Sequence, residues 1–442
     1  MNTEILTPGD KLKELRKKYG IKQHEISKND ISRNMISMIE TNKANLIEST
    51  AKILIDNMKE LCEKKSIEFD ISLEYLLESA ESQVEKIAKE LISVIDITPE
   101  KILGKEFELD LAKVLSILDK YNLKSYKATI YEKLGEFYIS KYDYYKAYTY
   151  YLMAFQNFNN LFNNIELIGL IIDISFCCGK LNRHKEKLEF SNLARIYMPN
   201  MPLKYRYKLE YNDALALKNL KNYNAAIEKI LYIEESFSSI LSSNTTRTLN
   251  LMILKANCYT EIKSYKVALE IHLKILKQSQ KNIETYLITL INIINIYNSL
   301  NDSKNIKKYL DQCLFVLKDY SKLENKIHSP EIYSDMGYAF YFLKEYEQSK
   351  FYLNLAISEG KRYKNISVIE KSIDKLLKIY VLQNDEEYID SLKTELLELV
   401  SIKILPHNND LVFKFINYYS SIKDNDAVAD ITSFVISQSP SE

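Results

Sequence analysis

The chain has few of the residues that interrupt helices. Its 442 residues include only 8 Gly, 7 Pro and no Trp. Because β-rich folds rely on frequent Gly and Pro turns, this shortage argues against a sheet protein. Leu, Ile, Lys, Glu and Tyr are abundant instead. The composition therefore predicts an all-α protein, and the length allows several domains or one long repeat array.

Cysteine and histidine are also scarce, which limits the chemistry that the chain can perform. The cysteines are odd in number and form no CxxC pair, as expected of thiols in a reducing compartment. The 5 His are scattered, and no His, Cys and carboxylate cluster has metal-ligand spacing. We find no Gly-rich phosphate loop, nucleophile elbow or zinc motif. The sequence predicts no enzymatic activity, no cofactor and no bound metal.

The sequence lacks a segment directed to a membrane. Its amino terminus has no apolar signal-peptide core, and no apolar run reaches the roughly 20 residues that span a bilayer. Neither sign of charge is in excess, since 60 Lys and Arg balance 60 Asp and Glu. We therefore expect a soluble, cytoplasmic protein with no membrane partner.

A local excess of positive charge lies in residues 8–43, where nine Lys or Arg accompany five Asp or Glu. Leu12 and Leu15 predict a first helix that ends at Gly20, and Lys22 begins a second, short helix. A polar break precedes a third helix over 32–41. The predicted basic outer face of the first helix comprises Lys11, Arg16, Lys17 and Lys18. This arrangement suits a phosphate-binding surface.

The third helix has one apolar side and one polar side. Met35, Ile36 and Ile39 are expected to face the core. The outward positions are expected to be Ser32, Arg33, Asn34, Ser37 and Met38. A helix that presents Arg, Asn and Ser side chains can enter a major groove and read base edges.

The spacing of this segment resembles the lambda-repressor/Cro-like family, with its pattern LRxxxGxxQxxLA, a turn, then SxxxISxIExG. The matching residues are Leu15-Arg16, Gly20, Gln23, Ile26-Ser27, Ser32, Ile36-Ser37 and Ile39-Glu40. Asn42 replaces the usual Gly and tolerates a left-handed backbone. The resemblance implies that Gln23 holds a phosphate. From the residues themselves, we expect base contacts from Arg33, Asn34 and Ser37, with Ser32 beside them, and backbone contacts from Lys22, Asn42 and Lys43.

The predicted DNA-binding domain covers residues 1–78, with a fourth helix over 47–62 and a fifth over 71–77. The polar run 78–82 is the best candidate boundary, although the fifth helix could also continue directly into the next segment. Residues 79–442 form the predicted repeat domain.

A period of about forty residues runs through the repeat domain. In YEKLGEFYISKYDYYKAYTYYLMA, Gly135 and Ala147 let two helices approach while large residues fill the space between them. The equivalent small position recurs near 107, 147, 187, 226, 268, 306, 349, 389 and 429. We predict about eight tetratricopeptide-like helix pairs stacked as a right-handed superhelix.

The combination of a Cro-like amino terminus and such an array resembles the RRNPP family (Rap, Rgg, NprR, PlcR and PrgX regulators). The resemblance implies a dimeric transcription regulator of the quorum-sensing type, with a pseudo-palindromic DNA operator. Its repeat domain would bind a short signalling peptide, and the peptide would shift the geometry of DNA binding. Clostridial regulators of sporulation, motility and toxin genes are the suggested branch, and phage lysogeny receptors share the layout.

Asparagine suits a peptide site because one amide satisfies both N–H and C=O groups of an extended chain. Projection of the repeat register onto the first helices gives the expected peptide-binding residues Tyr211, Asn212, Asn250, Asn257, Asn292, Asn295, Asn298 and Tyr338. Two alternatives stay open. The array could be a protein-interaction scaffold or an anti-activator that binds a partner regulator and not DNA. Catalysis on a phosphorylated response regulator is disfavoured, because residues 84–125 contain no evident Gln pair or metal cluster.

Overall fold

A computed structural model describes residues 3–27 and 31–438, whose secondary-structure elements are twenty-four α-helices and one 3-10 helix. The predicted all-α fold is confirmed. The chain divides into two compact units, Met1–Cys177 and Cys178–Glu442. Within the described residues, no helix is both long and apolar enough to cross a bilayer.

The first unit contains α1 Pro8–Lys18, α2 Gln23–Ile26, α3 Arg33–Glu40, α4 Glu48–Lys64, α5 Leu73–Leu77, α6 Ala80–Ile97, the 3-10 helix Pro99–Leu103, α7 Lys105–Lys120, α8 Lys124–Ser140 and α9 Tyr144–Gln156. The unit boundary falls within α10 Ile165–Lys180. The second unit contains α11 His184–Tyr197, α12 Leu203–Asn219, α13 Tyr223–Ser236, α14 Ser238–Ser242, α15 Thr245–Glu261, α16 Tyr265–Gln278, α17 Ile283–Ser299, α18 Ser303–Tyr320, α19 Ser329–Phe342, α20 Tyr346–Arg362, α21 Ile366–Gln383, α22 Glu386–Ser401, α23 Asp410–Ser421 and α24 Asn425–Gln438. The predicted boundary at residue 78 lies inside the first unit and stays a prediction.

Helices α1 to α5 enclose one apolar core, to which α3 contributes Ile36 and Ile39, both fully buried. The buried side-chain amide of Asn57 on α4 donates to the Ile26 carbonyl at 3.1 Å and satisfies the end of the short helix α2. Met35 was expected in this core, and that prediction is wrong, because its side chain is 40% exposed. Position 35 lies one residue before Ile36, and a helix of eight residues buries only one narrow stripe.

Lys11 was predicted on a basic outer face of α1, and that prediction is also wrong. Its side chain is buried, and Nζ donates to the Tyr75 carbonyl at 2.9 Å and to the Glu78 carboxylate at 3.0 Å. Glu78 also binds Lys86 on α6 at 2.7 Å. The run after α5 is therefore an ordered connection that ties α1 to α6.

The repeat domain consists of nine helix pairs, from α6–α7 to α23–α24, one more than predicted, with α14 as a short extra helix. Every position of the predicted series falls in the second helix of its pair. The expectation of a small residue there fails at four positions, which are Phe107, Lys187, Ile306 and Ile389. Between α8 and α9, the two helices approach closely at Gly135. A Cβ added there would lie 2.4 Å from the Tyr151 ring.

In the eight pairs from α8–α9 to α23–α24, the turn between the two helices contains an Asn, Lys or Tyr residue in the left-handed conformation, where glycine is common in other proteins. Lys221 has φ 61°, and its N–H bonds the Lys218 carbonyl at 3.0 Å. The next N–H, of Asn222, returns to the Leu217 carbonyl at 2.9 Å and closes the helix end. The left-handed residues of the other seven turns are Tyr142, Asn182, Lys263, Asn301, Lys344, Asn384 and Lys423.

A stacked aromatic pair joins the two helices of several repeats next to this turn. The Phe340 and Tyr352 rings lie 5.4 Å apart at an interplanar angle of 6°, and Tyr138 and Tyr150 lie 5.4 Å apart at 7°. Such offset stacking adds about 0.5–1.5 kcal/mol to the burial of the rings. In these repeats, stacked Tyr and Phe rings fix the two helices in a chain that contains no Trp.

Candidate DNA-binding and peptide-binding sites

The polar side of α3 is open to solvent. Arg33 and Asn34 are exposed and Ser37 is half-buried, in the arrangement expected for base-reading side chains. Ser32 precedes the helix as its cap, and its hydroxyl accepts the Met35 N–H at 3.2 Å. The helix thus presents Arg and Asn at its first turn, fixed from below by Ile36 and Ile39. The residues 28–30 of the polar break lie outside the described residues.

Three residues of the family-like pattern form a buried ionic cluster beneath this surface. The Glu40 carboxylate accepts Arg16 Nε at 2.6 Å, Arg16 Nη2 at 2.9 Å and Gln23 Nε2 at 2.9 Å. Burial raises the pKa of Glu40, but the hydrogen bonds from Arg16 and Gln23 outweigh burial and leave the pKa below its usual value. Arg16 therefore locks α1 to α3, which corrects its predicted place on an outer basic face. Gln23, which was expected to hold a phosphate, donates one N–H of its side-chain amide to this cluster.

Asn42 occupies the left-handed position predicted after α3, with φ 57°. Its Nδ2 lies 3.3 Å from the Asp10 carboxylate, and the Thr7 hydroxyl donates to its Oδ1 at 2.6 Å. Asn42 thus joins the end of α3 to the start of α1. Lys22 and Lys43 are exposed beside the two ends of the helix-turn-helix. Lys13, Lys17 and Lys18 of α1 are exposed as well.

The eight residues predicted to bind a peptide lie on the first helices of four pairs, α12, α15, α17 and α19, all in the second unit. These first helices contact one another in sequence. Asn257, Asn295 and Tyr338 each precede the left-handed residue of their own turn by six positions. They therefore occupy one equivalent row of the repeat, as the register predicted.

On α17, two of the asparagines predicted to bind a peptide have side-chain atoms without a hydrogen-bond partner in the described part of the chain. Asn292 Nδ2 and Asn298 Oδ1 are buried and have no hydrogen-bond partner within the described residues. An unsatisfied buried polar atom costs about 1–3 kcal/mol, so two such atoms on one helix are unusual in a stable fold. Between them, Asn295 Nδ2 donates weakly to the Asp335 carboxylate of α19 at 3.4 Å.

On α19, Asp335 and Tyr338 continue the row. Burial raises the pKa of Asp335 to about 6, partly opposed by the hydrogen bond from Asn295 and by the charge of Lys371. The Tyr338 hydroxyl donates to the Lys371 carbonyl on α21 at 3.1 Å. Lys375 of α21 extends its ammonium over the Tyr338 ring, 4.4 Å from the centroid.

The predicted peptide-binding residues on α12 and α15 differ from one another in burial. Tyr211 stacks on Tyr207 with ring centroids 6.1 Å apart, and burial raises its pKa to about 12. Its ring packs against the apolar core of α12 and α13 and so contributes to the stability of the fold. Asn212 and Asn257 are half-buried and Asn250 is exposed.

Sequence reasoning missed the charged part of this surface. It projected only Asn and Tyr, and it did not include Asp335, Lys371 or Lys375. The signal was present, because Asp335 and Lys375 occupy the same repeat position as Asn292, nine residues before the left-handed turn. No group of three or more His, Cys, Asp or Glu side chains is arranged to hold a metal ion in ranges 3–27 and 31–438.

Neither the protein-family models nor the curated proteins contain a match to this sequence. Solved structures do show similar folds. The apo form of RapI aligns with 90% of this chain and 100% of its own, with a TM-score of 0.51 and 14% identity. NprR in complex with its cognate peptide NprX aligns with 80% of this chain and 98% of its own, with a TM-score of 0.44 and 18% identity. Bacillus thuringiensis PlcR in complex with the peptide PapR7 and DNA aligns with 65% of this chain and 99% of its own, with a TM-score of 0.31 and 13% identity. The chain therefore shares the helical fold of RapI.

Proposed function

We propose that this protein is a sequence-specific DNA-binding transcription regulator whose repeat domain binds a short signalling peptide. The observation that carries the first part is the outward face of α3. Arg33 and Asn34 are exposed there, while the Arg16–Glu40 pair and a complete apolar core hold the helix in place. Rigid presentation of Arg and Asn from a short helix is what base readout in a major groove requires.

The peptide-binding part rests on the unsatisfied amides of α17. Asn292 and Asn298 offer one donor and one acceptor, the two functions that an extended peptide backbone needs. The regulator works as a homodimer on a pseudo-palindromic operator, since a two-fold protein reads two inverted half-sites. The peptide regulates it by binding one arrangement of the dimer more tightly than another.

The DNA-binding part is tested by selection from random double-stranded oligonucleotides. Wild-type protein is compared with an Arg33→Ala/Asn34→Ala double variant and with Lys113→Ala, an exposed charge on α7, as the matched control. Wild type and control should select the same inverted repeat, with affinity that falls steeply with salt as counterions are released. Failure of wild type to enrich any sequence would overturn the proposal.

A scaffold that binds another protein is the second candidate, and one observation favours it. On α18 and α20, Phe315 is 73% exposed and Phe351 is 58% exposed. They line two open depressions of about 520 and 490 Å³. Exposed aromatic side chains of this kind are typical of protein interfaces. Absence of DNA binding, together with capture of a partner that Phe315→Ser abolishes, would favour this function.

A further inference from the structure

Lys375 lies on α21, the first helix of the pair that follows the predicted peptide-binding helices, and no carboxylate in the described part of the chain forms an ion pair with it. Its side chain is half-buried on α21, and Nζ sits 4.0 Å from the Tyr341 ring centroid and 4.4 Å from that of Tyr338. No carboxylate of the described residues lies within ion-pair distance of this ammonium. Burial lowers the pKa of Lys375 and the positive charge of Lys378 lowers it further, while the negative charge of Asp374 partly opposes them. The two rings hold the charge in one place but do not neutralise it.

The nearest acid on the same helix is already engaged. Asp374 accepts Lys378 Nζ at 2.6 Å and Lys414 Nζ of α23 at 2.5 Å. A second acid of α21, Glu370, accepts the side-chain amide of Asn409. The acids of α21 are thus committed to other partners, and the surface around Lys375 keeps an excess of positive charge.

The space beside the two rings is open. Tyr341 lines a depression of about 440 Å³, and Tyr338 lines another of about 420 Å³. Both depressions also contain Asp374 and Lys414. Lys375 lines neither depression, but it holds on α21 the repeat position that Asn292 holds on α17 and Asp335 holds on α19. Because α17 contacts α19 and α19 contacts α21, a ligand that lies along α17 and α19 would reach Lys375 on the next first helix.

We propose that Lys375 binds a carboxylate of the peptide ligand, held between the Tyr338 and Tyr341 rings, while the amides of α17 bind the peptide backbone. The inference rests on the proposed peptide-binding function and adds the charge and position of one ligand group. A carboxylate supplies the charge that Lys375 lacks and accepts its hydrogen bonds. Its source is either an acidic side chain or the terminal carboxyl group of the peptide.

The test uses the full-length protein and a randomised library of short synthetic peptides, made both as free acids and as carboxy-terminal amides. Wild type is compared with Lys375→Met, Lys375→Arg and Lys307→Met, the last being an exposed lysine of α18 that loses the same charge. Retained peptides are sequenced, and the best one is remade with its acidic residues changed to amides. Affinities are then measured for each pair.

Wild type, Lys375→Arg and Lys307→Met should all select peptides with a carboxylate at one fixed position. Lys375→Met should lose that selection and bind the best peptide about tenfold or more weakly, as expected for loss of a charge-assisted hydrogen bond. Loss of binding on terminal amidation identifies the terminal carboxyl group, and loss on Glu→Gln or Asp→Asn identifies a side chain. Peptides retained without a carboxylate preference, or an unchanged preference in Lys375→Met, would overturn this inference alone. Retention of no peptide would overturn the peptide-binding function with it.

Discussion

The guanidinium of Arg16 holds the buried carboxylate of Glu40 through two hydrogen bonds, Nε to Oε1 at 2.6 Å and Nη2 to Oε2 at 2.9 Å. The pair joins α1 to α3 and so fixes the helix that carries Arg33 and Asn34. Two residues that look like surface charges in the sequence thus position the candidate DNA-binding surface from below.

We expect Arg16→Met to destabilise the amino-terminal helices by about 3 kcal/mol, because it leaves the Glu40 charge buried without its main partner. Lys17→Met, an exposed neighbour on α1, is the control and should change stability by less than about 0.5 kcal/mol. Urea unfolding measures both. Since the pKa of Glu40 is lowered, its contribution is present near neutral pH and is lost as the pH falls through that pKa. Equal stability of the two variants would contradict the role of the pair.

Gly9 marks the closest contact between α1 and α3. A Cβ at this position would lie 2.0 Å from the Ile39 carbonyl oxygen, which is backbone and cannot rotate away. Gly9→Ala should therefore cost more than about 2 kcal/mol and weaken DNA binding by displacing α3. Gly169→Ala on α10 is the matched control, because an added Cβ meets nothing within 4 Å there. Thermal unfolding should show it as stable as wild type or slightly more so. A tolerated Gly9→Ala would show that α1 and α3 are less tightly packed.

We expect Asn292 and Asn298 to lower the stability of the fold and to strengthen peptide binding. Each keeps a buried polar atom without a partner, so replacement by Leu should raise the Tm while it weakens peptide binding. Asn219→Leu, an exposed asparagine of α12, should change neither quantity. The readouts are calorimetry and titration with a peptide from the library. A lower Tm for both Leu variants would show that these amides support the fold.

His272 should make the second unit sensitive to acid. The side chain is fully buried, neither ring nitrogen has a hydrogen-bond partner, and burial lowers its pKa to about 4. Because the pKa of this ring is 6.5 in the unfolded chain and about 4 in the folded chain, the unfolded chain binds a proton more readily between these values. The free energy of unfolding is therefore greatest above pH 6.5 and declines by up to about 3 kcal/mol as the pH falls toward 4. Thermal unfolding across this range should show a smaller decline for His272→Leu. Parallel curves for the two proteins would contradict this assignment.

The regular features of the fold were predictable because they depend on spacing along the chain. The predicted second-helix position recurs about every forty residues, and all nine positions lie in second helices, from Phe107 to Ala429, although only five of them carry a small residue. In α3, Ile36 and Ile39 are core residues as their helical spacing requires. These patterns repeat, so one correct unit constrains the others.

The errors concern contacts between residues far apart in sequence. The partner of Lys11 is Glu78, sixty-seven positions later, and the basic composition of α1 gives no sign of it. The same holds for Arg16 and Glu40. Among the first helices, a search for Asn and Tyr alone excluded Lys375, whose relevance depends on the lack of a carboxylate within ion-pair distance among the described residues. Periodicity predicts position, but pairing of charges requires the folded chain.

Recovery of DNA bound to the tagged protein in its own host, across the whole genome, tests the central claim most directly. The Arg33→Ala/Asn34→Ala variant serves as the control, since single Arg33→Ala alone should cost about 1–3 kcal/mol in specific binding. We predict discrete sites that share an inverted repeat and that disappear with the double variant. Recovery of no discrete site, or of the same sites with the double variant, would contradict a regulator that reads DNA through α3.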